Sequence, residues 1–486
     1  MTESAPEHAM FNVLRSVAVA GGAARVGRLA LPKRKPIETP NFIAVASRGV
    51  IPHMTPDVIA KHTELTGSYM ALEDFIEKSQ KRLEPAIFKI KSGEKAALHT
   101  YTATPTPLAT VLGARRHPAV VAPMGNGKDY ISIYTSTGFQ KLKNQEYCRA
   151  VEKLQPDIAI PLADLTFGFS HIRTKLPNQK RQLRMVERTE DWLAELIKLR
   201  NTEDNGPAIF APLLPVSYPT QWEYLNRLSQ DYVKQVQGLA IYDADILLDL
   251  SDHDSLSPLP RLSMDSITSP HEILRQVRLG MDVLAVAFIN TVSDAGIALT
   301  FSFPPPAPPT SGVHPLGIDT WSEENQTSVK PLADGCNCYS CTKHHRAYVH
   351  HLLNAKEMLG WTLLQVHNHH VLGEFFKGIR ATLAAEPSTF EHNCEVFSKA
   401  YESELPKGTG ERPRARGYHF KTEAGQPKMN RPAWEKFDEG EDPALAAERA
   451  GLAVTGATAE GVETPVVPDP NADAKDLDKK GFAEIE

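Results

Sequence analysis

The chain is expected to fold as an α/β protein with a parallel sheet, because short apolar runs recur along it with helical segments between them. Its 486 residues can bury a large core, and a barrel of roughly 250–400 residues would fit as one unit. The candidate strands are Phe42–Ala46, Ala119–Ala122, Ile131–Tyr134, Asp157–Leu162, Ala208–Leu213, Gly238–Tyr242, Arg261–Met264 and Val283–Phe288. Eight runs suggest a (β/α)8 barrel; on the residues alone a doubly wound open sheet stays a rival.

Taken in order, the first 35 residues hold Arg15, Arg25, Arg28, Lys33, Arg34 and Lys35 among small and apolar residues, loosely the composition of a mitochondrial transit peptide. Glu3 and Glu7 come first and argue against that. Helices are expected at Met185–Leu199 and His271–Leu279, the latter with Ser269-Pro270 as cap and first-turn residue. The run Phe303–Pro309 is too proline-rich for a helix or an interior strand and reads as a connector. A closing helical stretch, roughly 375–404, contains Cys394 as a buried bystander. From Leu405 on, polar residues, Gly and Pro dominate, and too little apolar surface remains to offset ordering entropy. The domains are therefore drawn at 1–310, 311–404 and 405–486, the last a mostly disordered tail. Its basic piece, Arg412, Arg414 and Arg416 with Tyr418, His419 and Lys421, could touch RNA or a partner but reads first as solvated chain.

A formal charge of −6 excludes a uniformly basic nucleic-acid-coating protein, although a local basic patch can still bind phosphates. Hydrophobic residues make up 41%, and no apolar run reaches the roughly 18 residues a membrane span requires. A soluble protein is expected. Clustered cysteines in a reducing compartment read as metal ligands rather than disulfides.

Three of the five cysteines fall within six residues, at Cys336, Cys338 and Cys341, and His367 follows downstream. Three thiolates and a neutral imidazole make a tetrahedral set that suits Zn2+, with every position taken by protein; such a site is structural. The segment Lys343–Leu364 reads as one long helix, with Tyr348, Leu352, Ala355 and Leu359 on one face and Gly360 as its weak point, returning the chain to the metal at His367. His344, His345, His350, His351, His369 and His370 read as surface or core histidines, not further ligands.

The run from Cys336 to His370 closely resembles the zinc subdomain of the tRNA-guanine transglycosylases. It carries the three cysteines, Arg346-Ala-Tyr348, His350-His-Leu352, Ala355-Lys-Glu357, Leu359-Gly360 and the closing His367-Asn368. The resemblance extends over about residues 11–404 and implies a (β/α)8 TIM barrel, with Phe11–Leu31 as the family's opening β-segment and one structural zinc per subunit. It also implies a reaction in which a guanine in tRNA is exchanged for a modified base or its precursor.

In an active member, one aspartate attacks the ribose anomeric carbon, a second moves protons, a third recognises the base, and two arginines read the anticodon loop. Carboxylates are needed because one must trap an oxocarbenium-like centre while another, differently tuned, carries the proton. The nucleophile motif, Gly-x-Asp-x-Phe-Asp-Cys-Val, is matched by Gly280-Met-Asp282-Val-Leu-Ala285-Val-Ala287. Asp282 keeps the structural acid, and Ala285 takes the nucleophile's place. The turn Asp-Ser-Gly-Gly-Phe-Gln becomes Thr135-Ser-Thr-Gly138-Phe-Gln140, so Thr135 replaces the proton carrier. The base-recognising acid falls at Ala163, beside Asp164. Thr291 and Asp294 take the places of the arginines, and the loop Gln237–Asp243 puts Tyr242 where a base would need space.

No catalytic residue is therefore assigned. The resemblance implies a non-catalytic subunit whose partners are tRNA and a catalytic queuine tRNA-ribosyltransferase subunit. The two would form a heterodimer around the zinc subdomain, acting on the wobble base of tRNAs with GUN anticodons. A cytoplasmic location is expected, with a peripheral seat on the mitochondrial outer membrane as a further expectation. Two alternatives stay open: a self-sufficient transglycosylase with its nucleophile relocated to Asp265 or Asp282, and a zinc-stabilised RNA-binding scaffold outside this metabolism.

Overall fold

The alternation of buried and exposed side chains along Phe11–Val19 and Gly22–Leu29 builds an antiparallel hairpin, β1 and β2, joined by β3 (Ile37–Thr39). In this computed structural model the described residues are 10–19, 22–76, 84–91, 93, 95–120, 125–135, 138–165, 177–200, 206–306, 312–385, 387–410 and 413. All belong to one of the two units into which the chain divides, Met1–Ala424. β1 and β2 form the opening β-segment expected at 11–31, and β3 extends it beyond that range.

A closed parallel barrel follows. Its strands are β4 (Asn41–Val45), β5 (Gly67–Ala71), β6 (Ala109–Gly113), β9 (Ile158–Ala159), β10 (Ala208–Leu213), β11 (Gly238–Ile241), β12 (Arg261–Ser263) and β13 (Val283–Val286). Closure is made by β13 on β4, with Val283 opposite Asn41 and Val286 opposite Ala44. Residues of β5, β6, β10, β11, β12 and β13 are buried throughout, as strands covered on both faces must be. A hairpin, β7 (Tyr130–Thr135) and β8 (Gly138–Lys143), stands between β6 and the next barrel strand.

The barrel expectation holds and six of the eight runs lie in it; two do not. Ile131–Tyr134 is the hairpin strand β7, while Ala119 and Val120 lie outside any strand and 121–122 fall outside the described residues. Their places belong to Gly67–Ala71 and Ala109–Gly113. Both are only five residues long and begin or end in glycine, with Tyr69 alone in the first and Thr110 and Val111 in the second as β-formers, so they give little strand signal, yet burial on both faces makes strands of them.

Helices return the chain between strands: α1 (Pro56–His62), α2 (Ala97–Thr102), α3 (Asn144–Leu154), α4 (Gln179–Arg200), α5 (Tyr218–Arg227), α6 (Pro270–Leu279) and α7 (Phe288–Asp294). The expected helices at 185–199 and 271–279 are α4 and α6, and Ser269 and Pro270 take the cap and first-turn places of α6. After α7, β14 (Ile297–Leu299) pairs with β15 (Gly317–Asp319) across the proline-rich connector.

The last helices are α8 (Tyr339–Lys343), α9 (Arg346–Asn354), α10 (Met358–Ala385) and α11 (Pro387–Ala400). The single helix expected over 343–364 is therefore broken. Lys356 turns to φ 58°, and its N–H and that of Glu357 close back onto the carbonyls of Leu353 and Leu352, a helix stop. Gly360 then sits in the first turn of α10, where a Cβ would come within 3.2 Å of Leu352 Cβ; its absence lets α9 fold back over α10. His367 lies inside α10, not after a helix.

Along its 28 residues α10 joins two cores. Its second half packs on the barrel, with Phe376 stacked on Phe42 at 5.6 Å and Phe375 against Phe301, Phe303 and Phe397. Its first half shares a small core with Leu332, Val349, Leu352 and Leu353. Cys394 is buried in α11, as expected. Residues 414–486, and the expected tail disorder with them, lie outside the described residues. Among the described residues no helix is long and apolar enough to cross a membrane.

Candidate metal centre and barrel mouth

Cys338 has extended backbone and caps α8, its Sγ accepting the N–H of Cys341 at 3.3 Å. One helical turn thus puts both sulfurs on the same side, and Cys336 approaches from the turn before them, its N–H bonded to the Ala333 carbonyl. Ser340 donates to the Leu363 carbonyl at 2.7 Å and fastens α8 to α10. His367, fully buried on α10, presents Nδ1 to all three thiols, at 3.7 Å from Cys336 Sγ, 3.5 Å from Cys338 Sγ and 3.4 Å from Cys341 Sγ.

The four ligand atoms lie within 4.8 Å of one another and could hold a metal ion. A tetrahedral ion at ordinary zinc–sulfur and zinc–nitrogen bond lengths sets each sulfur about 3.6 Å from the nitrogen, the spacing seen here. The far side of the ring is fixed as well. His367 Nε2 faces the Leu299 carbonyl at 2.8 Å, so Nε2 carries the proton and Nδ1 offers its lone pair to the cluster. The next residue, Asn368, accepts from the Leu299 N–H and donates to Ser293 Oγ and the Ile297 carbonyl, which clamps β14 beside the ring. These two partners on β14 were invisible in the sequence, because a backbone carbonyl carries no residue signature.

Four of the other histidines have different work. His345 caps α9 through Nδ1, His350 meets the Thr320 carbonyl, His344 stacks on Tyr348, and His369 is buried against the Gln365 carbonyl.

At the other site, the C-terminal end of the barrel, Ala285 is fully buried in β13. His117 hydrogen-bonds to its backbone, and burial pulls that imidazole down to about 4, so the ring is neutral. Thr135 ends β7 and is spent on its own turn: Oγ1 donates to the Gly138 carbonyl and accepts from Gln140 Nε2, both at 3.0 Å. Ser136 and Thr137 lie outside the described residues.

Ala163 is buried, and Asp164 beside it faces elsewhere. Its carboxylate accepts from Asn126 Nδ2 at 2.8 Å, Arg181 at 3.3 Å and Arg188 at 3.0 Å, a buried network that leaves no carboxylate for a base. Tyr242, Tyr69, His117 and Met264 close the mouth. Among the described residues the space left there is about 20 Å³, room for a single water, whereas ligand pockets ordinarily run to roughly 300–1,000 Å³.

Asp282 stands at the opposite end of the same strand. It is fully buried, takes Arg25 Nε at 3.1 Å and the Arg261 N–H at 2.8 Å, and pairs with Arg25 through its second oxygen also. It locks the N-terminal hairpin onto the barrel floor, far from where barrel chemistry is done. Asp265 sits at the mouth but caps a turn, accepting from the Ala244 and Ser266 N–H groups; burial raises its pKa. On α7, Thr291 is exposed and Asp294 is bound by His53 Nε2 at 2.5 Å. A second acid pair, Glu73 and Asp74, was missed in the sequence; it holds Arg116 and the N–H of Tyr134 in place under the hairpin.

Fold and cluster together define a (β/α)8-barrel protein with a Cys3His subdomain. The chain belongs to the family described as queuine tRNA-ribosyltransferase, which matches residues 20–403. It is similar to queuine tRNA-ribosyltransferase accessory subunit 2 of Schizosaccharomyces pombe, 35% identical over 87% of this chain and 92% of that protein. It is similar also to the proteins of the same name from Drosophila virilis, 26% identical over 78% and 91%, and Anopheles gambiae, 28% identical over 75% and 84%.

Proposed function

We propose that this chain is the non-catalytic accessory subunit of a queuine tRNA-ribosyltransferase. It completes a heterodimer with a catalytic subunit and holds tRNA so that the wobble guanine of tRNAs with GUN anticodons is exchanged for queuine in the partner's site. The observation that carries this is Ala285, buried where bond-breaking in this family requires a carboxylate. The closed mouth supports it, since a space of about 20 Å³ admits no purine.

The cluster Cys336, Cys338, Cys341 and His367 would hold a structural Zn2+, supplying rigidity rather than chemistry because protein fills all four positions. The subdomain's own core is small, so a metal would supply much of its stability. Tyr339, Met358 and Leu359 lie exposed beside this subdomain, which supports its use as the subunit contact. Incubating tRNA and labelled guanine with this chain, with a catalytic subunit and with the mixture tests the proposal. Activity confined to the mixture is expected; exchange by this chain alone would refute it.

A further inference from the structure

A second cavity, of about 580 Å³, lies away from the mouth, against the barrel floor. Phe42 in β4 and Thr66, just before β5, form its inner wall, and α1, α8 and α10 close its sides. Its size falls within the roughly 300–1,000 Å³ of ordinary ligand pockets. Three carboxylates line it, and each already has a cation: Glu64 and Glu374 share Lys377, both at 2.7 Å, while Glu38 pairs with Arg28 at 3.3 Å. Lys35, Lys61 and Arg380 line it as well, and none of these three forms an ion pair among the described residues. Arg380 is half-buried on α10; its Nη1 donates to the Pro40 carbonyl at 2.7 Å, and the remaining donors of the guanidinium have no partner among the described residues. A charge placed so has lost part of its hydration and found no counter-charge in return. Two uncharged groups are also unspent. His369, buried, gives Nδ1 to the Gln365 carbonyl at 2.9 Å and keeps Nε2 in hand, and the buried Thr66 Oγ1 has no hydrogen-bond partner among the described residues.

We propose that this cavity binds a small phosphorylated molecule bearing hydroxyl groups, of the size of a pentose phosphate or a nucleoside monophosphate, with its phosphate held by Arg380, Lys35 and Lys61. A guanidinium presents paired donors that match two phosphate oxygens at once, and the resulting bonds are charge-assisted. The two exposed lysines add point charge at the rim, where it draws an anion in. A bare anion would satisfy the cations and leave the uncharged groups idle. A ligand hydroxyl uses both, donating to His369 Nε2 and accepting from Thr66 Oγ1. Phe42 on one wall and Tyr339, stacked on His62 at 4.1 Å, offer flat faces to the rest of the molecule. An RNA strand suits the cavity less well, because a polyanion crossing the rim would meet the exposed Glu38, Glu64 and Glu374, whereas a single phosphate reaches only the cations. The site shares no residue with the closed mouth and does not depend on the accessory-subunit reading.

Isothermal titration calorimetry of the full chain tests the site, with adenosine monophosphate, ribose phosphate, adenosine and inorganic phosphate as separate probes. The two phosphorylated probes are expected to bind about tenfold tighter than inorganic phosphate, and adenosine not measurably. Lys35→Gln/Lys61→Gln changes two exposed side chains without partners to lose and should weaken binding of the phosphorylated probes about tenfold. Arg380→Gln should abolish it, with circular dichroism confirming that the variant is folded. Lys153→Gln, at an exposed position on α3, is the control and should match the wild type. Failure of both phosphorylated probes to bind at millimolar concentration would overturn the site, as would equal affinity in the wild type and the double-lysine variant. Binding of inorganic phosphate as tightly as either phosphorylated probe would overturn the assignment of an organic ligand. The titration is repeated with the catalytic subunit added: unchanged affinity is expected, and loss of binding would overturn the proposal by making the cavity a socket for an acidic segment of the partner.

Discussion

The two ends of β13 have kept opposite things. Asp282, at the floor, retains its full set of partners in Arg25 and the Arg261 N–H. Ala285, three residues on and facing the mouth, has no functional group at all. A buried carboxylate whose pairing holds a hairpin to a barrel cannot be dropped without cost, because its loss leaves a guanidinium unpaired. A nucleophile would have no such structural tie, and beside Ala285 the mouth is filled by Tyr242 and a neutral His117. The Cys3His subdomain belongs with the floor: its clustered residues join α8 and α10.

The contrast can be broken at its strongest point by stripping the metal. Cys338→Ser is expected to abolish bound zinc, read by elemental analysis, and to cause the largest loss of stability, several kcal/mol, since apparent zinc binding in small structural sites is worth about 10–16 kcal/mol. Partner binding should be lost with it. At the floor, Arg25→Ala strands Asp282 in a dry site, and chemical denaturation should show about 3–5 kcal/mol of destabilisation. A change under about 1 kcal/mol, the worth of an exposed pair, would mean that the floor is dispensable and the contrast empty.

At the mouth the effects should be smaller and partly pH-dependent. His117 is held at about 4 by burial, below the roughly 6.5 of an unfolded imidazole. Its neutral form therefore favours folding above about pH 6.5, and that contribution is lost as pH falls toward 4, a swing of about 3 kcal/mol. Denaturation curves across that window should show the slope in the wild type and a flatter one in His117→Gln. Smallest of all, Thr135→Val removes the hydroxyl shared by Gly138 and Gln140, for about 1 kcal/mol. It should leave exchange by the heterodimer unchanged; a large activity loss would give the mouth a function that its residues do not suggest.

How much of this was readable in the chain follows the range of each interaction. The four residues that could hold a metal were legible because three of them lie within one loop and helix turn, and the parallel α/β fold because most strands are continuous apolar runs; closure into a barrel was implied by the family resemblance, not by the runs themselves. Gly67–Ala71 and Ala109–Gly113 were not, since what makes them strands is cover from neighbours rather than their own residues. The break at Lys356 was hidden for a related reason: leucines at helical spacing continue through it, and only the return of α9 onto Gly360 interrupts them. The roles of Asp164 and Asp265 needed the fold, because the arginines and N–H groups that occupy them are mostly distant in sequence.

Mass spectrometry of the purified chain after incubation with a GUN-anticodon tRNA, with no second subunit present, tests the central claim most directly. Only the unmodified polypeptide mass is expected, since Ala285 can form no bond to the ribose. A covalent chain–tRNA adduct would contradict the account and show that a nucleophile survives elsewhere in the barrel.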